Sequence, residues 1–129
     1  MRTYHQNGTL PQNGEIFVFG SNLAGIHGAG AAKAAIRFGA KYGVGIGLRG
    51  NTYAIPTKDQ YIQTLPLEDI EFRIKEFCDY TRNYGDGKKF FVTAVGCGLA
   101  GYKDRHIAPL FKTAVNCSFP QEWQPLLED

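Results

Sequence analysis

The chain has 129 residues, of which 43% are hydrophobic and 13% aromatic, so we expect one domain with one buried core over residues 1–129. The net charge is +2 and the basic residues are scattered, which argues against an extended nucleic-acid-binding surface. The start of the chain has no apolar signal segment, and no run approaches the ~18 apolar residues of a membrane span, so we expect a cytoplasmic protein.

The N-terminal quarter of the sequence predicts a buried strand. Residues 1–14 are polar and rich in turn residues, and they could form an edge strand or a loosely held arm. The run EIFVFG at 15–20 is β-branched and aromatic and ends in glycine, which is typical of a strand buried on both faces.

A helix and a second strand are predicted next. The alanine-rich run GAAKAAIRFGAKYG at 30–43 predicts a helix that begins near Ala29 to Ala31 and fades at Gly39 or Gly43. A strand is expected around 52–55, closed by Pro56, because proline cannot continue a central ladder.

The second half of the chain repeats the order of strand, glycine-rich loop and helix. Apolar residues at helical spacing predict a helix from Pro66 to about Tyr84. The run KFFVTAV at 89–95 predicts a buried strand, and the loop GCGLAGY at 96–102 follows it. The run at 107–116 predicts a short helix with Pro109 at its first position.

This alternation predicts an α/β fold with a mixed, mostly parallel sheet and helices on both faces. Glycine makes up 16 of the 129 residues, and these glycines cluster in 20–50 and 96–101. Two glycine-rich loops would then leave the carboxyl ends of two strands, which is where such sheets bind ligands beside helix N-termini. Two loops could hold two phosphates, so we expect a ligand with a diphosphate.

The segment Gly28-Ala29-Gly30 would let the main chain approach an anion because no Cβ stands in the way. Close packing of a strand against a helix is the alternative explanation. Other nucleotide motifs fit less well: the sequence has no GxxxxGK[ST], and GIHGAG matches GxGxxG irregularly.

The motifs FGSNLAGIHGAGAAKAAI and VGCGLAGY resemble the two ligand-binding loops of the macro-domain family, in the order that the family has them. The resemblance covers roughly residues 17–116, is specific over about 25 of them, and is greatest for compact bacterial or phage versions. It implies a three-layer sandwich that binds ADP-ribose or its derivatives at the carboxyl edge of the sheet. Some members of the family hydrolyse ADP-ribose from proteins or from small adducts.

Carried onto this sequence, the resemblance assigns Asn22 to the distal ribose and the first loop to the diphosphate. The second loop would enclose the phosphate and the distal ribose. The residues expected to bind the ligand are Gly20, Ser21, Asn22, Gly28, Ala29, Gly30, Gly96, Cys97, Gly98, Leu99, Ala100, Gly101 and Tyr102. Main-chain amides, and not lysines, would bind the phosphates.

The sequence departs from the family at two places. Ala100 stands where many members have an aromatic residue against the distal ribose. The acidic residue that recognises adenine has no evident counterpart, and Glu15 and Asp59 are the only guesses.

Asn22 and His27 are the candidate catalytic residues. Asn22 could orient a water molecule or a hydroxyl group, and the His27 imidazole could act as a general acid or base. A solvated loop histidine or a ribose hydrogen-bond donor is the alternative for His27. Cys97 could be a nucleophile or, as the alternative, a small buried thiol that fills a strand end.

Several other polar residues are expected near the cleft or in a structural role. Asp104 and His106 could approach the cleft, although capping of the last helix is the ordinary role of an aspartate there. Thr57, Lys58 and Asp59 could line the pocket. Trp123 could clamp the C-terminus onto the body or join an oligomer contact.

The leading functional hypothesis is a module that binds ADP-ribose or a related NAD-derived nucleotide. The module could be an ADP-ribosyl hydrolase, an ADP-ribose phosphate phosphatase, or a reader that sequesters the ligand unchanged. Its partner would be the free nucleotide or an ADP-ribosylated macromolecule, with nucleic acid only as such a substrate and with no cofactor, metal or membrane. A structural or assembly protein without a ligand is the alternative from another class.

Overall fold

The computed structural model describes residues 2–128, and its six strands form one sheet in the order β1-β6-β5-β2-β4-β3. Only β3 runs antiparallel to its neighbour, and the other paired strands are parallel. The predicted mixed, mostly parallel α/β sheet is therefore confirmed. The strands are β1 (Thr3–His5), β2 (Ile16–Asn22), β3 (Gly47–Arg49), β4 (Thr52–Lys58), β5 (Phe90–Val92) and β6 (Cys117–Pro120).

Four α-helices and three short 3₁₀ segments connect these strands. The α-helices are α1 (Gly30–Ala35), α2 (Leu67–Asn83), α3 (Asp104–Ile107) and α4 (Gln124–Leu127). The 3₁₀ segments are Ile36–Phe38, Ala108–Phe111 and Gln121–Trp123. No helix in the described residues 2–128 is both long and apolar enough to span a lipid bilayer.

Helices cover both faces of the sheet, and the buried strand β2 contributes to a core on each face because its side chains alternate in direction. Ile16 and Val18 point into a core that is shared with α2, α3 and α4, and their neighbours Phe17 and Phe19 point into a second core beneath α1. The molecule thus has three layers, with the sheet in the middle.

The first helix is shorter than the sequence predicts. It begins at Gly30 as expected, but its α-helical part ends at Ala35 and a 3₁₀ turn continues to Phe38. Gly39 then adopts a left-handed conformation with φ of 110°, which ends the helix. With six α-helical residues, α1 has a smaller dipole than the predicted helix would have.

Pro56 does not end the second predicted strand, contrary to expectation. The strand continues to Lys58, with Pro56 opposite Ser21 of β2. The reason is that β3 pairs with β4 only as far as Ala54. At Pro56 itself β4 is paired only with β2, so the missing N–H of proline leaves no ladder bond unmade.

The elements near residue 100 also have bounds that differ from the predicted ones. Strand β5 ends at Val92, since the Thr93 hydroxyl donates a 2.7 Å hydrogen bond to the Val18 carbonyl and the chain then leaves the ladder. The predicted helix at 107–116 begins earlier, at Asp104, and its 3₁₀ extension ends at Phe111. Pro109 lies in the first turn of that extension.

Strands β3 and β6 were not predicted. Strand β1 decides between the edge strand and the loosely held arm that the sequence left open for the N-terminal segment. The N-terminal segment forms an edge strand, parallel to β6, and the His5 ring stacks on Phe91 at 3.8 Å between centroids. The first and the last of the described residues also meet. The Arg2 guanidinium donates to the carbonyls of Lys112 (2.8 Å) and Leu127 (3.2 Å), and the Tyr4 hydroxyl donates to the Glu128 carboxylate (2.7 Å).

Trp123 clamps the C-terminal segment onto the body of the protein. Its side chain is fully buried against Phe111 and Phe119. Its indole N–H donates a 2.9 Å hydrogen bond to the Asp104 carboxylate, so Asp104 fixes the C-terminal segment. Asp104 is the first residue of α3 and does not cap it, because the N-cap position is Lys103.

We predict that Trp123→Phe lowers the free energy of unfolding by about 2 kcal/mol, since it leaves the partly buried Asp104 carboxylate without its donor. Urea unfolding followed by circular dichroism measures the change. Tryptophan fluorescence cannot be used, because the variant lacks the sole tryptophan. Asp104→Ala and the double variant complete a mutant cycle. A coupling energy near zero would contradict the role of this hydrogen bond.

Candidate functional site

A cleft of about 590 Å³ lies at the carboxyl ends of three adjacent strands, β5, β2 and β4. The order of the sheet places β2 between the other two, so the segments that follow these strands meet at one edge. The lining residues are Gly20, Ser21, Asn22, Ile26, Gly28, Ala29, Gly30, Ala31, Ala32, Thr57, Lys58, Ile62, Thr93, Ala94, Val95, Gly96, Cys97, Gly98, Leu99 and Ala100.

Both glycine-rich loops present main-chain N–H groups that no protein acceptor uses. Within residues 2–128 these amides donate to no acceptor, although neighbouring amides such as those of Gly101 and Tyr102 are bonded within the second loop. Unpaired amides in a concave loop are a binding site for anions. The unpaired amides that line the cleft include those of Gly28, Ala29, Gly98, Leu99 and Ala100.

The glycines of the two loops serve different purposes. A Cβ on Gly25 would lie 2.4 Å from the Gly43 carbonyl carbon, and a Cβ on Gly45 would lie 2.0 Å from the Asn22 carbonyl oxygen. Close packing therefore explains these two glycines. A Cβ on Gly28 or Gly98 would meet nothing within 4 Å, and neither residue has a left-handed φ, so packing does not explain these two.

The hydroxyl groups that line the cleft are already used as donors by the protein. Ser21 donates to the Gly45 carbonyl, Thr57 to the Ser21 carbonyl at 3.2 Å, and Thr93 to the Val18 carbonyl. These bonds tie the strand ends to one another and to the segment behind them. Apart from the Lys58 ammonium, the donors that remain for a ligand are therefore mainly main-chain amides.

Asn22 lines the cleft at the end of β2, and its side chain organises the first loop. The amide group donates a 2.7 Å hydrogen bond to the Ile26 carbonyl, and its oxygen accepts a 3.0 Å hydrogen bond from the Ile26 N–H. The side chain is thus a bridge across the turn at 22–26, and only 8% of the residue is exposed. This arrangement gives Asn22 a structural role beside its predicted contact with the ligand.

The structure places His27 away from the cleft, which corrects the prediction of an acid or base there. The residue is fully buried, packs edge-on against Phe19 and does not line the cleft. Its Nε2 lies 2.8 Å from the Lys41 carbonyl and 3.2 Å from the Val44 carbonyl, so it donates to the segment behind the loop. His27 therefore holds the loop in place and has no access to a ligand.

Cys97 lines the cleft, but its thiol has little nucleophilic character. Burial, with a further contribution from the nearby Asp104 carboxylate, raises the pKa of Cys97 to about 12. The thiol lies 3.5 Å from the Val95 carbonyl and donates to it. The thiolate is therefore scarce at neutral pH. This environment fits the alternative interpretation of Cys97 better, that of a small thiol that fills the strand end.

Two residues predicted in the second loop support the cleft without lining it. The Tyr102 hydroxyl donates a 2.7 Å hydrogen bond to the Leu65 carbonyl, and Gly101 adopts a φ of 89° that turns the loop. From the opposite side, the Thr64 hydroxyl donates to the Ala100 carbonyl at 3.1 Å. The second loop is thus fixed to the segment between β4 and α2.

The two guessed adenine ligands do not point into the cleft. Glu15 precedes β2, at the opposite edge of the sheet, and its carboxylate accepts a 2.6 Å hydrogen bond from the Gln12 N–H. The Asp59 carboxylate accepts hydrogen bonds from the N–H groups of Tyr61 and Gln63 and holds its own turn. His106 does not line the cleft either: it is exposed, and its Nδ1 accepts a 3.3 Å hydrogen bond from the Lys103 N–H.

Thr57 and Lys58 line the cleft as expected, and several other lining residues were missed by the sequence analysis. The sequence analysis placed Thr93, Ala94 and Val95 inside a strand. The strand ends at Val92, so these three residues directly follow its carboxyl end and line the cleft. The other missed residues are Ile26, Ala31, Ala32 and Ile62. Ile62 had no sequence signal, because its position depends on the turn that Asp59 forms.

The fold is similar to that of a solved structure described as Thermosipho africanus DarTG in complex with ADP-ribose, with a TM-score of 0.56 and 19% sequence identity. The match covers 85% of this chain and 39% of the other chain, so this chain spans well under half the length of that protein. At this identity the similarity concerns the fold alone. No family model matches the sequence. No curated protein matches it either.

We predict that iodoacetamide alkylates Cys97 slowly at pH 8 in the folded protein, and that the rate keeps rising with pH beyond the range of an ordinary thiol, whose pKa is ~8.5. Mass spectrometry of the peptide that contains Cys97 measures the rate, with urea-unfolded protein as the reference. Equal rates in the folded and unfolded protein at pH 8 would show that the thiol is not protected.

Proposed function

We propose that the chain binds ADP-ribose or a related NAD-derived nucleotide in the cleft between its two glycine-rich loops. The observation that carries this proposal is the set of unpaired amides, which come from both loops and line one cleft. A diphosphate has several acceptor oxygens within a short span, and amides from two loops can reach both phosphoryl groups.

The size and form of the cleft support a nucleotide. Its volume of about 590 Å³ falls in the range of ~300–1,000 Å³ that small-molecule sites occupy. The open space beside Gly28 and Gly98 allows ligand atoms to approach the main chain closely. The similar fold of a protein solved with ADP-ribose bound adds to this support.

The cleft also carries a positive charge that suits a diphosphate. Lys58 lines it at the end of β4 and makes no ion pair within residues 2–128. No aspartate or glutamate of these residues lines the cleft. An anionic ligand therefore meets one ammonium group and no carboxylate.

Binding without turnover is the form of this function that we favour. Among the described residues, only Lys58 and Cys97 line the cleft with titratable side chains, and the Cys97 thiol stays protonated. Hydrolysis would have to rely on Lys58 or on a water molecule held near Asn22. We therefore propose a reader or sequestering module of macro-domain type, formed by the chain as a single domain.

We predict that Gly28→Glu and Gly98→Glu each weaken ADP-ribose binding at least tenfold, a change of about 1.4 kcal/mol or more. The new carboxylate would repel the diphosphate and occupy its space. Neither site has a left-handed φ or a close neighbour, so the folded state should be retained. Isothermal titration calorimetry measures binding, and thermal unfolding measures stability.

The matched control is Asn83→Glu, which adds the same charge at an exposed position at the end of α2, outside the cleft. This variant should bind like the parent protein. The proposal fails if the parent protein shows no heat with ADP-ribose at millimolar concentration. If both glycine variants unfold, the glycines have the packing role that the alternative hypothesis gives them.

We predict that Lys58→Gln weakens ADP-ribose binding about threefold to tenfold and makes the affinity less dependent on salt, because one charge contact with the diphosphate is lost. Titrations at low and high salt measure both effects. In parallel, mass spectrometry follows an ADP-ribosylated peptide that is incubated with the parent protein. Release of ADP-ribose by the parent, and its loss in Lys58→Gln, would favour an enzyme over a reader.

A further inference from the structure

The mouth of the cleft is lined by three exposed aliphatic side chains. Ile26, Ile62 and Leu99 are 51%, 42% and 73% exposed and follow β2, β4 and β5, respectively. Exposed aliphatic residues scattered over a surface need no explanation, but three that line one cleft from separate loops indicate a contact with a ligand. These three residues are called the apolar rim below.

Ile62 has an unfavourable main-chain conformation. Its φ is +65°, in the left-handed region, which a β-branched residue rarely adopts. The other non-glycine residues of this kind among the described ones are Asp86 and Asn116, whose side chains tolerate the conformation. Of these three residues, Ile62 is therefore the one whose side chain disfavours the left-handed conformation.

The turn at 59–63 forces this conformation on Ile62. The Asp59 carboxylate accepts hydrogen bonds from the N–H groups of Tyr61 (2.8 Å) and Gln63 (3.0 Å). In the main chain, Asp59 N–H donates to the Gln63 carbonyl at 2.8 Å and Ile62 N–H donates to the Asp59 carbonyl at 3.1 Å. Four hydrogen bonds hold an apolar side chain beside the cleft at a conformational cost, and such a cost is typical of functional sites.

The polar side chains of the cleft are poorly placed to recognise the edge of a base. The hydroxyls of Ser21, Thr57 and Thr93 already donate to main-chain carbonyls, and the Asn22 amide bridges its own turn. No carboxylate of the described residues lines the cleft to accept the amino group of adenine. A base would therefore rest on apolar lining, and the apolar rim supplies the large exposed side chains of that lining.

We infer that the apolar rim binds the nucleobase of the ligand by its face, that Ile62 is a base-binding residue, and that the cleft discriminates weakly between adenine and other purines. This inference rests on the proposed binding of an ADP-ribose-type nucleotide. A base is the planar apolar part of such a ligand, and the faces of different purines are similar. Strong discrimination requires hydrogen bonds to the base edge, and the cleft offers few side-chain groups for them.

The test compares ADP-ribose with its hypoxanthine counterpart, inosine diphosphate ribose, in calorimetric titrations. The two dissociation constants of the parent protein should agree within about threefold, because neither base edge meets a dedicated partner. Ile62→Gly should weaken both ligands by roughly fivefold through the loss of apolar contact. The same substitution should raise the thermal unfolding midpoint, because glycine adopts a positive φ without strain.

The matched control is Asp86→Gly, which replaces another left-handed residue outside the cleft. It should leave both dissociation constants unchanged. Leu99→Ser is a second rim variant that does not alter a left-handed residue, and it should also weaken both ligands several-fold.

The inference is overturned if Ile62→Gly and Leu99→Ser both bind ADP-ribose like the parent protein. It is also overturned if the parent protein prefers one base more than tenfold, since that would require recognition of the base edge. In both cases the parent still binds ADP-ribose, and the proposed function stands. If the parent binds neither nucleotide, the proposed function fails and this inference fails with it.

Discussion

The parallel pairing of β2 with β5 on one side and with β4 on the other is the constraint on which the rest of the molecule depends. Parallel strands end at the same edge, so three segments that are distant in the sequence must leave the sheet side by side. The chain passes from β2 to β4 on one side and returns to β5 on the other, and a crevice forms where the direction reverses. Both glycine-rich loops are brought to that crevice by strand order alone.

Within this crevice the protein divides its hydrogen-bonding groups between structure and binding. Side-chain donors such as Thr57 and Thr93 are used to fix strand ends, while the amides of Gly28 and Gly98 are left without a protein partner. Main-chain amides are held more firmly than the ends of flexible side chains, so they lose little freedom when an anion binds. A basic sequence is not needed for such a site, which agrees with the small net charge of +2.

Sequence reasoning succeeded where a feature is local. The buried run that forms β2 and the helix that begins at Gly30 could be predicted because composition and glycine placement act within a few residues. It failed where distant segments decide the outcome. His27 is buried by its contacts with Phe19 and the 41–44 segment, and Pro56 fits in β4 because β3 is short. The four-residue strand β6 has too few residues to show a pattern, and only its parallel neighbours β1 and β5 define it.

The contact between Arg2 and residues 112 and 127 lies far from the cleft. Arg2 precedes the parallel strand β1, so the bonds that it makes to Leu127 and Lys112 lie at the amino edge of the sheet. The cleft lies at the carboxyl edge, about the length of a strand away. The contact that Arg2 makes with Leu127 and Lys112 therefore leaves the mouth of the cleft unobstructed, even for a nucleotide that is still attached to a large carrier.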